Sequence, residues 1–134
     1  MKIVFAEQIG VSDSKRSEFV SEMQSLGHTV SFFDTPVLDQ SDLQARVSDA
    51  DVLVLSNQPL SAETINKCQN LKMISVAFTG VDHLPIDYCR EKQITVCNAA
   101  GYSTSAVAEL TISMAISLLR KINELDANTR QGKT

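Results

Sequence analysis

An α/β fold built on a parallel sheet is the architecture this sequence predicts, and three observations predict it. Five short apolar runs, at residues 2–6, 29–33, 51–55, 71–77 and 94–97, alternate with stretches whose apolar residues recur at helical spacing. No β-hairpin signal such as Asn-Gly appears between them. The runs at 71–77 and 94–97 break into Phe78-Thr79-Gly80 and Asn98-Ala99-Ala100-Gly101, as buried strands do where their carboxyl ends open into loops. The alternation implies helices on both faces of the sheet. Five such units in 134 residues suggest the doubly wound, flavodoxin-like order 2-1-3-4-5.

Each element has a local reason. Residues 2–6 (KIVFA) make the first strand. Ser12 or Asp13 caps a helix whose Phe19, Val20, Met23 and Leu26 follow helical spacing, and Gly27 ends it. Residues 29–33 are the second strand, closed off by Pro36. Ser41 or Asp42 starts a short helix carrying Leu43 and Val47. Residues 51–55 (DVLVL) are a third strand, apolar enough for burial on both faces. Ser61 begins a helix with Thr64, Ile65 and Cys68, and residues 71–77 form the fourth strand. Pro85 suits a helix N1 position, where its missing N–H costs nothing, and opens a helix over 86–92. Residues 94–97 are the fifth strand. Ser103, Thr104 or Ser105 caps a long last helix that runs to about Leu125. From Ala106 to Leu119 that helix is apolar on nearly every side, whereas a helix covering one sheet face shows a single stripe. It is expected to be covered on two sides, by another domain, another subunit or both.

Composition excludes several classes of function. A net charge of −4, no basic run, sparse aromatics and no Trp argue against a nucleic-acid partner. The longest apolar run, near 107–119, contains Glu109 and falls short of the roughly 18–20 residues that span a bilayer, so no membrane partner is expected. Residues 2–6 are too short a run for a signal peptide. Cys68, Cys89 and Cys97 are odd in number and lack a C-x-x-C spacing, which reads as reduced buried thiols in a cytoplasmic protein. No metal-spaced cluster, acid pair or Ser-His-Asp set stands out, so no metal is expected. Neither GxGxxG nor GxxxxGK[ST] is present. Gly132-Lys133-Thr134 imitates the end of the second motif, but Ala127 stands where its first glycine belongs.

In open α/β sheets ligands sit beyond the carboxyl ends of the strands, which points to two loops. In Thr79-Gly80-Val81, Gly80 permits positive φ and close backbone approach, and successive N–H groups can cradle a carboxylate. The plainer reading is a tight turn that needs glycine. The second loop, 98–105, feeds the last helix, whose first N–H groups and dipole favour an anion, with the Tyr102 hydroxyl nearby to orient a ligand. The plainer reading is a capped helix with a half-buried tyrosine. His83 reads as a surface or hydrogen-bonded helix-entry residue sooner than a base. Glu109 reads as a buried structural glutamate sooner than a catalytic one.

The series TGVDHLPIDYCREKQITVCNAAGYSTSAVAEL, with SNQPLSAETI after the third strand, resembles the D-isomer-specific 2-hydroxyacid dehydrogenases. It matches the N-terminal part of their substrate-binding, or catalytic, domain over essentially the whole chain. The pattern is most similar to glycerate dehydrogenase, or hydroxypyruvate reductase, members. The resemblance implies that the backbone N–H groups of Gly80 and Val81 bind the substrate carboxylate. Tyr102, Ser103 and Asn57 would also face substrate, and Thr79 and Val107 would lie on the nicotinamide side. Asn57 stands where some relatives carry a basic residue, which leaves the substrate open. Pro85 replaces a usual acidic residue, and Gln93 replaces a usual glycine before the fifth strand.

The resemblance further implies an oxidoreductase that interconverts a 2-hydroxy acid and a 2-keto acid by hydride transfer with NAD or NADP. The family's catalytic Arg, Glu and His lie beyond this stretch, so no catalytic residue is expected in this chain, and no cofactor is expected to bind it alone. The expected division is a flavodoxin-like substrate-binding domain over 1–102, then an interdomain helix and the start of a crossover to a C-terminal NAD-binding domain over 103–134. The implied partners are a small 2-hydroxy or 2-keto acid, that missing domain and a second subunit in a homodimer. The alternative is a flavodoxin-like regulatory or ligand-binding module without catalysis. As a receiver it lacks acids after strand one beyond Glu7, and EQIGVSDSK is a poor flavin phosphate loop.

Overall fold

The computed structural model of the chain describes residues 1–133. Strands β1 (Lys2–Phe5), β2 (Thr29–Phe32), β3 (Val52–Leu55), β4 (Met73–Val76) and β5 (Thr95–Asn98) alternate with helices α1 (Asp13–Ser25), α2 (Gln40–Val47), α3 (Ala62–Lys67) and α4 (Ile86–Glu91). Two further helices follow, α5 (Thr104–Leu119) and α6 (Ile122–Arg130). All strand pairs are parallel and their order is β2-β1-β3-β4-β5, the flavodoxin-like order. The chain divides into two compact units, Met1–Ala100 with the sheet, and a second that begins at Gly101 and holds α5 and α6.

In the first unit the strands end almost level. Phe5 pairs with Val54, Leu55 with Val76, and Val76 with Asn98. The residues after β1, β3, β4 and β5 therefore emerge side by side at one edge. Side chains alternate between faces, as strand geometry requires. Val4, Leu53, Leu55, Ile74 and Val76 pack into one cluster with Leu43 and Val47 of α2, Ile65 of α3 and Cys89 of α4. Ile3, Phe5 and Val54 pack the other way, with Phe19 and Met23 of α1. Each fully buried aliphatic side chain contributes about 1.5–3 kcal/mol, and that fixes the register of the strands.

Arg46 is a charged side chain inside this unit, 7% exposed. Its guanidinium donates to the carbonyls of Ala6 (3.1 Å), Thr35 (2.8 Å) and Pro36 (2.9 Å) and to both oxygens of Asp42 (3.0 and 2.7 Å). A buried arginine is tolerable when its donors are met in this way. The amino edge of the sheet has its own tie. The Asp51 carboxylate accepts from the Lys2 backbone N–H (2.7 Å) and from the Lys72 ammonium (3.1 Å). Both interactions, the backbone bond first, hold its carboxyl below the usual range.

Several local expectations need correction. Asp39, not Ser41 or Asp42, caps α2 by accepting from the Asp42 N–H (2.9 Å). Asp42 is instead committed to Arg46. Pro85 is the N-cap of α4 and not its first turn, with ψ of 76°. The fifth strand runs Thr95–Asn98 rather than 94–97, because the Ile94 N–H is drawn back to the Cys89 carbonyl (2.8 Å). Gln93 makes this turn with φ of +58°, which explains why glycine would suit the position. Cys68 and Cys89 are buried, and burial pushes the Cys68 thiol up to about 11; Cys97 is exposed, contrary to expectation.

In the second unit the expected single helix to about Leu125 is two helices. α5 stops at Leu119, and Lys121 takes the left-handed conformation (φ +51°) before α6 starts. That conformation normally marks a glycine after a helix end, so no residue-type signal announced the break. No residue of α5 is buried, and Val107, Leu110, Ile112 and Leu118 are each more than half exposed. Glu109 is exposed as well, not buried as its setting suggested. Among the described residues, no helix is long and apolar enough to cross a membrane.

Candidate functional site

The carboxyl edge of the sheet gathers three turns of the first unit. After β4 the chain passes through Thr79, Gly80 and Val81, whose backbone N–H groups donate to no protein acceptor among the described residues. The turn is nevertheless held in place. Asn98, at the end of β5, donates its side-chain amide to the Thr79 carbonyl (2.7 Å), and the Ala99 N–H donates to the Phe78 carbonyl (2.9 Å). On the far side the Val81 carbonyl accepts from the Leu84 N–H (3.0 Å), and Val81 packs against the larger core cluster. The result is a short run of amide donors without a protein acceptor on a fixed frame.

Gly80 is in the expected loop for a different reason. It does not adopt positive φ. A Cβ added there would find Asp82 Oδ2 at 3.7 Å, an ordinary contact, and no closer neighbour. Neither backbone conformation nor packing demands glycine in this chain, which removes the plainer explanation of a strained turn. Gly101 shows the contrast, since its φ of +91° is one that glycine adopts without penalty.

The turn after β3 is closed differently. Glu7, which follows β1, turns its carboxylate across the sheet edge, and Oε1 accepts from the backbone N–H groups of Ser56 (2.6 Å) and Gln58 (2.9 Å). Asn57, between them, is exposed. The Leu60 N–H donates to the His83 carbonyl (3.1 Å), tying this turn to the one after β4. His83 Nε2 is buried without a hydrogen-bond partner among the described residues, so its side chain is not the surface or hydrogen-bonded one expected, and only its backbone carbonyl ties the two turns.

Of the expected site residues, Thr79, Gly80, Val81 and Asn57 thus lie in neighbouring turns at one edge. Tyr102, Ser103 and Val107 belong to the second unit. There Ser103 is the N-cap of α5 without a side-chain cap bond, and the Val107 N–H donates to its carbonyl (2.9 Å). Tyr102 is 66% exposed, not half-buried. Reasoning from residue types passed over Glu7 and the Asn98 side chain. The signal for Glu7 was available in the strand order, which sets the end of β1 beside the end of β3. Among the described residues no group of three or more His, Cys, Asp or Glu is arranged to hold a metal.

Comparison with known proteins adds an independent line. The model of the family described as D-isomer specific 2-hydroxyacid dehydrogenase, catalytic domain, matches residues 4–133. A hydroxypyruvate reductase of Blautia hydrogenotrophica is 24% identical over 83% of this chain and 34% of its own length. A D-3-phosphoglycerate dehydrogenase of Methanocaldococcus jannaschii is 35% identical over 72% of this chain and 18% of its own length. An acyclic imino acid reductase, solved with NADPH and D-Arg, shares the fold with a TM-score of 0.84 at 24% identity, covering 100% of this chain and 42% of that one. The chain therefore spans about a third or less of these two sequence relatives. With the parallel sheet, the free amides after β4 and the match across nearly all its residues, the chain belongs to the D-isomer-specific 2-hydroxyacid dehydrogenase family, as a part of its catalytic domain.

Proposed function

We propose that this chain is the substrate-binding part of an NAD- or NADP-dependent 2-hydroxyacid dehydrogenase, and that its share of the work is to hold the carboxylate of a small 2-hydroxy or 2-keto acid. The observation that carries this reading is the set of unpaired amides at Thr79–Val81, in a turn whose glycine has no structural cause in the chain itself. Room beside Gly80 and donors without a protein acceptor suit a planar carboxylate. Asn57 supplies an exposed amide group on the adjoining turn.

On the family resemblance, Tyr102 and Ser103 of the second unit are assigned to substrate, and Thr79 and Val107 to the nicotinamide side. The turn after β1, where a phosphate loop would stand, is occupied by Glu7 and its two hydrogen bonds. The cofactor, bound on a separate NAD-binding domain, would accept or donate the hydride. The residues here orient the acid by fixing one end of it, which removes rotational freedom before reaction. The division into a domain over 1–102 and a crossover over 103–134 belongs to the same proposal, as do the homodimer and a cytoplasmic location.

The test is an assay of the full-length parent protein for NADH-dependent reduction of hydroxypyruvate, glyoxylate and pyruvate. Turnover of at least one of them, hydroxypyruvate first, is the expected result. A parent that binds no nicotinamide cofactor and reduces none of the three overturns the reading.

A further inference from the structure

The turn after β3 is shaped by a side chain that no resemblance assigns. Ala6 is pinned twice: its N–H donates to the Val54 carbonyl (3.0 Å) and its carbonyl accepts from Arg46 (3.1 Å). From this fixed point Glu7 reaches the next strand, and one oxygen takes the N–H groups of Ser56 and Gln58 together. Two amides separated by one residue and aimed at a single anionic oxygen form an anion-binding concavity. Here the protein's own carboxylate fills it. The filled turn therefore presents no free Ser56 or Gln58 amide to a ligand, and it carries a negative charge that repels a second carboxylate. Asn57, between the two bound amides, has an exposed side chain without a hydrogen-bond partner among the described residues. The turn after β4, tied to it through Leu60 and His83, keeps its amides free.

We propose that Glu7 is a positioning residue for the substrate carboxylate: by filling the β3 turn it turns Asn57 outward and leaves Thr79–Val81 as the seat for the anion. This deepens the substrate-binding reading and rests on it. Glu7 touches no substrate; it acts through the Ser56–Gln58 backbone. Two neighbouring amide concavities at one sheet edge offer a small acid two registers, and the internal carboxylate removes one of them.

The experiment follows backbone amides by ¹H–¹⁵N spectra of the 134-residue chain as wild type, Glu7→Ala and Glu7→Gln, titrated with D-glycerate and separately with sulfate. In the wild type, D-glycerate shifts Thr79, Gly80 and Val81 and leaves Ser56 and Gln58 unmoved. In Glu7→Ala, the Ser56 and Gln58 amides exchange with solvent roughly tenfold faster or more, as loss of a charge-assisted bond implies. They also begin to respond to both anions, the Asn57 side-chain amide shifts, and D-glycerate binding at Thr79–Val81 weakens. Glu7→Gln keeps an acceptor oxygen and restores both the amide protection and the wild-type response. The proposal is overturned if Glu7→Ala leaves Ser56 and Gln58 protected and silent to anions. It is equally overturned if they change while the Asn57 side chain and the Thr79–Val81 response do not. Should Glu7→Ala lose its spectral dispersion, the shorter Glu7→Asp takes its place with the same two readings. If D-glycerate moves no amide in the wild type, the substrate-binding reading fails instead. The sulfate response of Ser56 and Gln58 after removal of Glu7 still reports separately on whether that turn is an anion seat.

Discussion

Two turns at the same sheet edge, one after β3 and one after β4, solve one problem in opposite ways. Both leave backbone donors without a strand partner, and buried or half-buried donors need acceptors. Around Ser56 and Gln58 the acceptor is internal, the Glu7 carboxylate. Around Thr79–Val81 no internal acceptor is present among the described residues, although Asn98 and Ala99 hold the turn's carbonyls. A rigid frame with its donors left open is a cost unless something outside the chain meets them. The difference between the turns is thus a difference between donors met within the chain and donors left to solvent or, on the proposed function, to a ligand.

The strongest way to break the contrast is from behind. Arg46 fixes Ala6, the residue before Glu7, so Arg46→Ala should loosen the filled turn as well as the loop at Thr35 and Pro36. Leaving its partners unpaired should cost about 3–5 kcal/mol, read by urea unfolding at neutral pH. A loss under about 1 kcal/mol would mean that the end of β1 is held by other contacts.

Gly80→Ala sharpens the comparison in the open turn. Stability should change by less than about 1 kcal/mol, because φ is not positive and the added methyl meets only Asp82 at ordinary distance. D-glycerate affinity, read by the same amide shifts, should fall roughly tenfold, about 1.4 kcal/mol. A variant that loses well over about 1 kcal/mol of stability while its folded form keeps wild-type D-glycerate affinity would make Gly80 a structural glycine and erase the contrast. Asn98→Ala, which removes the 2.7 Å bond to the Thr79 carbonyl, should cost about 1 kcal/mol in thermal or urea unfolding and broaden the Thr79–Val81 resonances. Unchanged resonances would show that the frame does not depend on it.

Acid gives the smallest effect and, through Asp51, probes the other end of the strands. The Asp51 carboxyl is held low by the Lys2 N–H and then by Lys72, and the Asp42 carboxyl by Arg46 and then by the Leu38 N–H. Because both folded values lie below the unfolded ones, their contribution is complete above the ordinary carboxylate range and is lost as pH falls through the lowered values. Melting temperature should therefore drop on acidification below about pH 4, and less steeply in Asp51→Asn. Equal slopes in wild type and variant would remove Asp51 from the account.

The sheet was legible because its evidence is local and repeated: five apolar runs, helical spacing between them and no hairpin turn. The loop carrying Gly80 was legible too, though the argument from positive φ was not the operative one. What escaped was chemistry that depends on distant neighbours. Glu7 meets Ser56 across 49 positions of sequence, and only the placement of β1 beside β3 brings them together. The break between α5 and α6 escaped because a lysine occupies a conformation that residue type assigns to glycine. Asp39 caps α2 while Asp42 pairs with Arg46, an i,i+4 spacing that was legible in the sequence but was not weighed against capping.

The left-handed backbone at Gln93 offers an opening for engineering. It lies just ahead of β5, at the end of the sheet remote from both turns, and a side chain there carries a conformational penalty of about 1 kcal/mol that glycine would relieve. Thermostabilising changes often erode activity when they stiffen the working end of a protein. Gln93→Gly would add robustness at the far end and leave the carboxyl edge with its two turns as it is now.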